Sequence, residues 1–167
     1  ALRSRFGIMH NLRFYDENEL TDILVQAAGK LDNVNINRNA LHTIASRSRG
    51  TPRIALRLLR RVRDYAEVRC DGNFNNDVVD AALSLEGIDE VGMDALDRTY
   101  METIANIYDG GPVGVEAVAA SMGEDAGTLQ DVVEPYLLQA GFLARTRQGR
   151  QITPKGQDWL KMGKNSP

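Results

Sequence analysis

Between Glu86 and Gly92 the sequence reads EGIDEVG, two glycines and three acids, and it separates two stretches that each carry a helical hydrophobic repeat. A break there divides 167 residues into two halves, so two small domains joined by a linker are expected in place of one core. Ahead of the break, Asp16 and Glu19 form a capping-box pattern, and Leu20, Ile23, Leu24, Ala27, Ala28 and Leu31 follow at helical spacing. Asn37 opens a second helix with Ala40, Leu41, Ile44 and Ala45 inward, and Gly50 is expected to end it. Thr51-Pro52 restarts the chain at once, with threonine as cap and proline at the first helical position, where no N–H is needed. This third helix runs to about Val68, with Ile54, Leu58, Leu59, Val62 and Ala66 inward and arginines outward. Asn75 or Asn76 caps a short fourth helix carrying Val78, Val79, Ala82 and Leu83. The first half reads as a four-helix bundle.

Past the break, a helix from Met93 to about Tyr108 places Leu96, Tyr100, Ile104 and Ile107 inward. Gly110-Gly111-Pro112-Val113-Gly114 is a turn that no helix crosses. Helices over about 114–121 and 125–140 follow, the second containing Pro135, which bends or breaks it. Phe142–Arg145 and Arg150–Thr153 then flank Thr146-Arg147-Gln148-Gly149, which reads as a β-hairpin around a glycine-containing turn. Pro154 opens a final segment whose Trp159 and Leu160 pack back on the core. Three helices followed by a hairpin is the order of a winged-helix domain, a helix-turn-helix variant with a β wing. The fold class is therefore mainly α, a helical bundle followed by a winged helix.

Several function classes drop out. With 43% hydrophobic and 26% charged residues the chain is neither disordered nor fibrous. One cysteine, Cys70, allows no internal disulfide and suits a reducing compartment. Apolar runs are too short to span a bilayer, so a cytoplasmic location is expected. Ala1–Phe6 has no apolar signal region and reads as the cut end of a longer chain. His10 and His42 lie far apart with no cysteine near them in a metal-binding spacing, and His42 is expected to be structural. No GxxxxGK[ST], GxGxxG or GxSxG stretch is present, so no phosphate-cradling loop and no self-contained catalytic constellation is expected.

Charge is segregated along the chain. Arg47–Arg69 holds eight arginines against Asp64 and Glu67, while Asp71–Glu134 holds fifteen acids against Arg98 alone. Arg145–Lys164 is basic again, six cations against Asp158. Any nucleic-acid contact is then local to a basic block. Individual arginines stand at structured positions. Arg5 precedes all helices; Arg53 is the second residue of a helix, where the dipole favours an acid; Arg145, Arg147 and Arg150 flank the hairpin turn. An anion beside Arg53 would repair its mismatch with the helix dipole, and a surface arginine is the equal alternative.

Taken in order, these motifs decide. Leu2-Arg3-Ser4-Arg5-Phe6-Gly7-Ile8, Ser46-Arg47-Ser48-Arg49-Gly50-Thr51-Pro52-Arg53-Ile54-Ala55, and Arg57-Leu58-Leu59-Arg60-Arg61-Val62-Arg63-Asp64-Tyr65-Ala66 come first. Gly110–Gly114, Glu134-Pro135-Tyr136-Leu137, Gly141-Phe142-Leu143 and Arg145-Thr146-Arg147-Gln148-Gly149-Arg150 follow. Together they resemble, over nearly the whole chain, the C-terminal half of the RuvB family, bacterial Holliday-junction branch-migration motors of the AAA+ class.

The resemblance implies that residues 1–16 are the tail of the large ATPase domain, 17–88 the small helical AAA+ lid, and 91–167 the winged-helix head. It implies an arginine finger at Arg5, acting on ATP held by a neighbouring subunit. It implies nucleotide contacts from Tyr15 and from Arg53 as the sensor-2 arginine, and DNA contacts from Arg145 and Arg150. Where the family commonly has Pro-Arg in the wing, this chain has Arg147-Gln148; the charge moves by one residue, toward the other face of a strand. The DNA contact therefore falls on Arg145 and Arg150, with Arg147 a third candidate. The full-length protein would be an ATP-dependent DNA helicase, a homohexamer acting on Holliday junctions in recombination and repair. Mg²⁺ and a RuvA-type partner would be bound through the missing large domain, and this chain alone is expected not to hydrolyse ATP. The resemblance leaves the role of Arg57, Arg60, Arg61 and Arg63 open.

Two other classes are weighed against this reading. One is a winged-helix transcriptional regulator reading sequence in the major groove, which the acids Asp125, Asp131 and Glu134 on the 125–140 helix disfavour by repelling phosphate. The other is a protein-binding adaptor, for which the wing arginines would be dispensable.

Overall fold

The computed structural model describes residues 13–30 and 36–163. Two compact units meet at Glu86/Gly87.

The first unit contains α1 (Glu17–Ala28), α2 (Arg38–Ser46), α3 (Pro52–Arg69) and α4 (Asn76–Leu85). α1 opens with the expected capping box: the Asp16 carboxylate accepts the Glu19 N–H, and the Glu19 carboxylate accepts the Asp16 N–H. Asn37 and Asn75 cap α2 and α4 with their side-chain oxygens. The expected Leu31 lies outside the described residues. Leu20, Leu24, Leu41, Ile44, Leu58, Leu59, Val62, Val79 and Leu83 form the interior, while Ile54 is half-buried.

The junction of α2 and α3 departs from expectation. α2 ends at Ser46 with Arg47 as its cap, short of Gly50. Both Arg49 and Gly50 are left-handed, in a tight turn closed by the Thr51 N–H donating to the Ser48 carbonyl at 3.0 Å. Thr51 occupies the N-cap of α3 without capping it, because its hydroxyl is turned back to the Arg49 carbonyl at 3.2 Å. The first N–H groups of α3 thus receive no side-chain acceptor from Thr51.

The second unit contains α5 (Ala95–Ile107), α6 (Val115–Met122), α7 (Ala126–Thr128), a π-helical turn (Leu129–Val133), α8 (Glu134–Gln139), β1 (Leu143–Arg145), β2 (Arg150–Ile152) and α9 (Pro154–Gly163). On α5 the buried stripe is Asp97, Tyr100, Met101 and Ile104. Ile107, expected inward, sits at the edge of that stripe and is 59% exposed. The single helix expected over 125–140 is interrupted. Pro135 has no N–H to return to the carbonyl four residues back, and the preceding π turn, in which Glu134 N–H donates to the Leu129 carbonyl, accommodates the change of register.

β1 and β2 pair antiparallel with Leu143 opposite Ile152 and Arg145 opposite Arg150. Val113 adds an unexpected third rung: its N–H donates to the Arg150 carbonyl at 2.9 Å and its carbonyl accepts the Arg150 N–H at 2.7 Å. That approach requires glycine on both sides, since a Cβ on Gly111 would collide with the Arg150 carbonyl and one on Gly149 with Val113 backbone. The unit boundary falls inside the EGIDEVG stretch read as a linker: Glu86 caps α4 in the first unit, while Gly87–Gly92 is bound into the second. Arg98 donates to the Gly87 carbonyl, and the Asp89 carboxylate accepts the Val91 and Met93 N–H groups and the Trp159 indole N–H. Trp159 also lies edge-on to Phe142, centroids 6.2 Å apart. No helix among the described residues is long and apolar enough to cross a membrane.

Candidate functional site

In the first unit, the segment ahead of α1 lies across the α2–α3 turn. The Tyr15 N–H donates to the Gly50 carbonyl at 2.9 Å, and a side chain on Gly50 would collide with Phe14, so the segment can dock only on glycine. A cleft of ≈ 530 Å³ results, lined by Arg13, Phe14, Tyr15, Glu19, Gly50, Thr51 and Pro52. The Tyr15 residue is 46% exposed. Arg53 follows directly on the lining residues at the second position of α3; it is exposed and, among the described residues, has no hydrogen bond or ion pair. The structure thus brings Tyr15 and the turn that precedes Arg53 together, although Arg53 itself does not line the cleft. An aromatic face, a helix start not capped by Thr51 and a free guanidinium suit a ligand with an aromatic ring and phosphate groups. Arg5 lies outside the described residues.

The turn is held from behind. Arg47, mostly buried, donates to Asp80 of α4 at 2.6 Å, and the buried Ser48 hydroxyl donates to the Ile44 carbonyl. The other arginines of α3 divide into two sets. Arg61 faces Glu86 at 3.8 Å, and Arg63 is held by Asp64 at 2.6 Å and Glu67 at 3.8 Å. Arg57, Arg60 and Arg69 are exposed and, among the described residues, have no such partner. His42 is surface-exposed, 3.6 Å from the Glu17 carboxylate.

In the second unit, Arg145 and Arg150 stand opposite each other across the hairpin, where directly paired side chains share a face. Beneath them lies Glu134, 1% exposed at the start of α8. Arg150 donates Nε to Glu134 Oε1 at 2.7 Å and Nη2 to Oε2 at 3.3 Å. Tyr100 of α5 donates its hydroxyl to the same Oε1 at 2.8 Å, and Arg145 Nη2 comes within 3.5 Å of Oε2. Arg145 also donates to Gln130 Oε1 at 3.2 Å. The hydrogen bond it donates to Glu134 holds the Arg150 guanidinium above its ordinary pKa, against the opposing effect of burial.

The two arginines therefore present differently. The Arg145 side chain is 52% exposed and the Arg150 side chain 12%, with Nη1 as the one guanidinium nitrogen of Arg150 not donated to Glu134. Arg147 is exposed at the turn and, among the described residues, has no charged partner. The three acids expected to repel phosphate also separate: Glu134 is buried under cations, Asp125 caps α7 by accepting the Thr128 N–H, and Asp131 remains exposed. That repulsion is weaker than the sequence suggested. Sequence reasoning missed the Tyr100–Glu134–Arg150 network. Its signal was a carboxylate beside the apolar positions Leu129, Val133 and Leu137, where burial demands a cation or hydrogen-bond donors.

Residues 15–89 match the model of the RuvB AAA lid domain, and residues 90–161 that of the RuvB C-terminal winged helix domain. Among solved structures, the chain is similar to the Thermotoga maritima RuvB Holliday junction branch migration motor, with 52% identity, a TM-score of 0.89 and 96% of this chain covered. A mutant of that Thermotoga maritima RuvB matches with the same TM-score at 51% identity. The match covers 53% of each of those chains, so the present chain spans about half the length of these relatives. With both domains matched in tandem from residue 15 to 161, the chain belongs to the RuvB family, of which it carries the AAA lid and the C-terminal winged helix.

Proposed function

We propose that this chain is the lid and DNA-gripping head of an ATP-driven motor that migrates Holliday junctions in recombination and repair. The observation that carries the reading is the opposed arginine pair on the wing, Arg145 facing Arg150, in a chain similar to the Thermotoga maritima branch migration motor. Guanidinium N–H groups placed this way, with Arg147 at the turn, suit backbone phosphates, which carry no sequence information. A motor that must pass over any sequence needs that kind of contact.

At the other end, Tyr15 would lie against the nucleotide and Arg53 would meet its phosphates. Bound ATP would supply the phosphoryl transfer that drives movement. Residues 1–16 would belong to the large ATPase domain, with Arg5 reaching the nucleotide of a neighbouring subunit in a hexamer. Arginines in that role contribute ~10³-fold or more in related NTPases. Mg²⁺ and a RuvA-type partner would be held by the large domain, in the cytoplasm, and this chain alone would not turn over ATP.

The test is fluorescence anisotropy of the 167-residue chain on four-way junctions and on duplexes of unrelated sequence, over a series of salt concentrations. Each phosphate contact contributes about −0.9 to the slope of log K against log salt, so Arg145→Ala/Arg150→Ala should flatten the slope by between about one and two. Affinity should differ little between sequences. A strong preference for one duplex would turn the reading to a sequence-specific regulator; binding without salt dependence would turn it away from a phosphate-gripping head.

A further inference from the structure

Glu134 is a carboxylate in an interior, and burying one is costly unless its oxygens are fully engaged. Here they are engaged from three elements: Tyr100 from α5 at 2.8 Å, Arg150 from β2 at 2.7 and 3.3 Å, and Arg145 from β1 at 3.5 Å. Glu134 itself belongs to α8, immediately after the π turn that Pro135 demands. The side chain is thus a joint between the helical layer and the wing, and the groups it holds on the wing side are the two arginines that face each other across the hairpin.

Orientation is the consequence. Free arginine side chains carry several rotatable bonds and lose rotamer entropy when fixed. Arg150 has already lost that freedom: with Nε and Nη2 bound to one carboxylate, its Nη1 edge is fixed in direction. Arg145 is held more loosely, shared between Glu134 and Gln130, with half its side chain in solvent.

Resting on the DNA-contacting reading above, we infer that Glu134 is the positioning residue of the wing, fixing Arg150 and restraining Arg145 so that the pair meets successive backbone phosphates already ordered. It does not touch the nucleic acid. Its action runs wholly through the two arginines, and that dependence separates it from a residue that merely supports the fold.

The experiment is a double-mutant cycle on the 167-residue chain, read by anisotropy on a junction over a salt series. In the wild-type background Glu134→Gln should weaken binding about tenfold at low salt and flatten the salt slope toward that of Arg145→Ala/Arg150→Ala. Added to that double variant, Glu134→Gln should cost nothing further. Equal loss in both backgrounds would mean a structural role only and would overturn the inference while leaving the DNA reading intact. Wild-type binding with no salt dependence would remove the DNA reading itself.

A second measurement needs no variant and so survives a Glu134→Gln chain that does not fold. Arginine Nε–H resonances of the wild type should show Arg150 protected from exchange with and without DNA, and Arg145 protected only when DNA is bound. Solvent-rate exchange at Arg150 in the free protein would show that no clamp exists, whatever the binding assay reads.

Discussion

Tyr100 shows how much one side chain can carry. Fully buried on α5, it places a phenol where burial and the hydrogen bond to Glu134 both oppose its ionisation, pushing its pKa well above the ordinary value of 10.0. A group whose folded pKa is raised contributes stability that is complete below the unfolded pKa and is lost as pH climbs toward the folded one. The second unit should therefore hold its stability up to about pH 10 and lose it progressively above that. Trp159 lies in the same unit and reports the transition by fluorescence. Denaturant midpoints measured from pH 8 upward should fall steeply above pH 10 for the wild type and more gently for Tyr100→Phe, which has no proton to lose. Parallel pH curves for the two proteins would contradict the assignment.

Among the elements, the wing depends most on backbone detail. Its third rung, Val113 on Arg150, forms because Gly149 adopts a φ of 139°, a region that side-chain-bearing residues rarely enter, and leaves space for Val113 backbone. Gly149→Ala faces both penalties, strain and collision, and should cost about 1–3 kcal/mol. Amide exchange should speed up at Val113 and Arg150 while the Leu143–Ile152 pair is preserved, and thermal unfolding should shift down. Unchanged protection at Val113 would show that the rung is not held by the glycine. The bent helix beneath the wing follows a similar logic: Pro135 was visible as a disruption, but a π turn as its form was not, because the preceding residues keep helical dihedrals and alter only their hydrogen-bond partners.

At the scale of the molecule, the boundary between the units matters more than the composition of the segment around it. EGIDEVG has the glycines and acids of a linker, yet Asp89 collects two backbone N–H groups and the Trp159 indole, and so belongs to the second unit. A chain begun at Gly87 should fold with the Trp159 emission of the parent. One begun at Val91, without Asp89, should show red-shifted emission and a melting temperature lower by about 4–8 °C per kcal/mol lost. Identical melting of the two truncations would return the segment to the status of a linker.

Local chemistry made much of the fold legible: the Asp16–Glu19 capping box, the asparagine caps, the proline at the start of α3 and the glycine-containing hairpin turn all act within a few residues. Arg53, Arg145 and Arg150 stood out in the sequence as arginines at a helix start and beside a turn, whereas their assigned roles, and that of Tyr15, came from the family resemblance. What these residues touch depended on chain folding between distant positions. The docking of Tyr15 on Gly50, the burial of Glu134 beneath Arg150, and the capture of Asp89 by Trp159 join residues that no periodicity relates. A charged side chain looks the same in sequence whether it faces water, a phosphate or a buried carboxylate, and only packing removes the water that makes those cases differ.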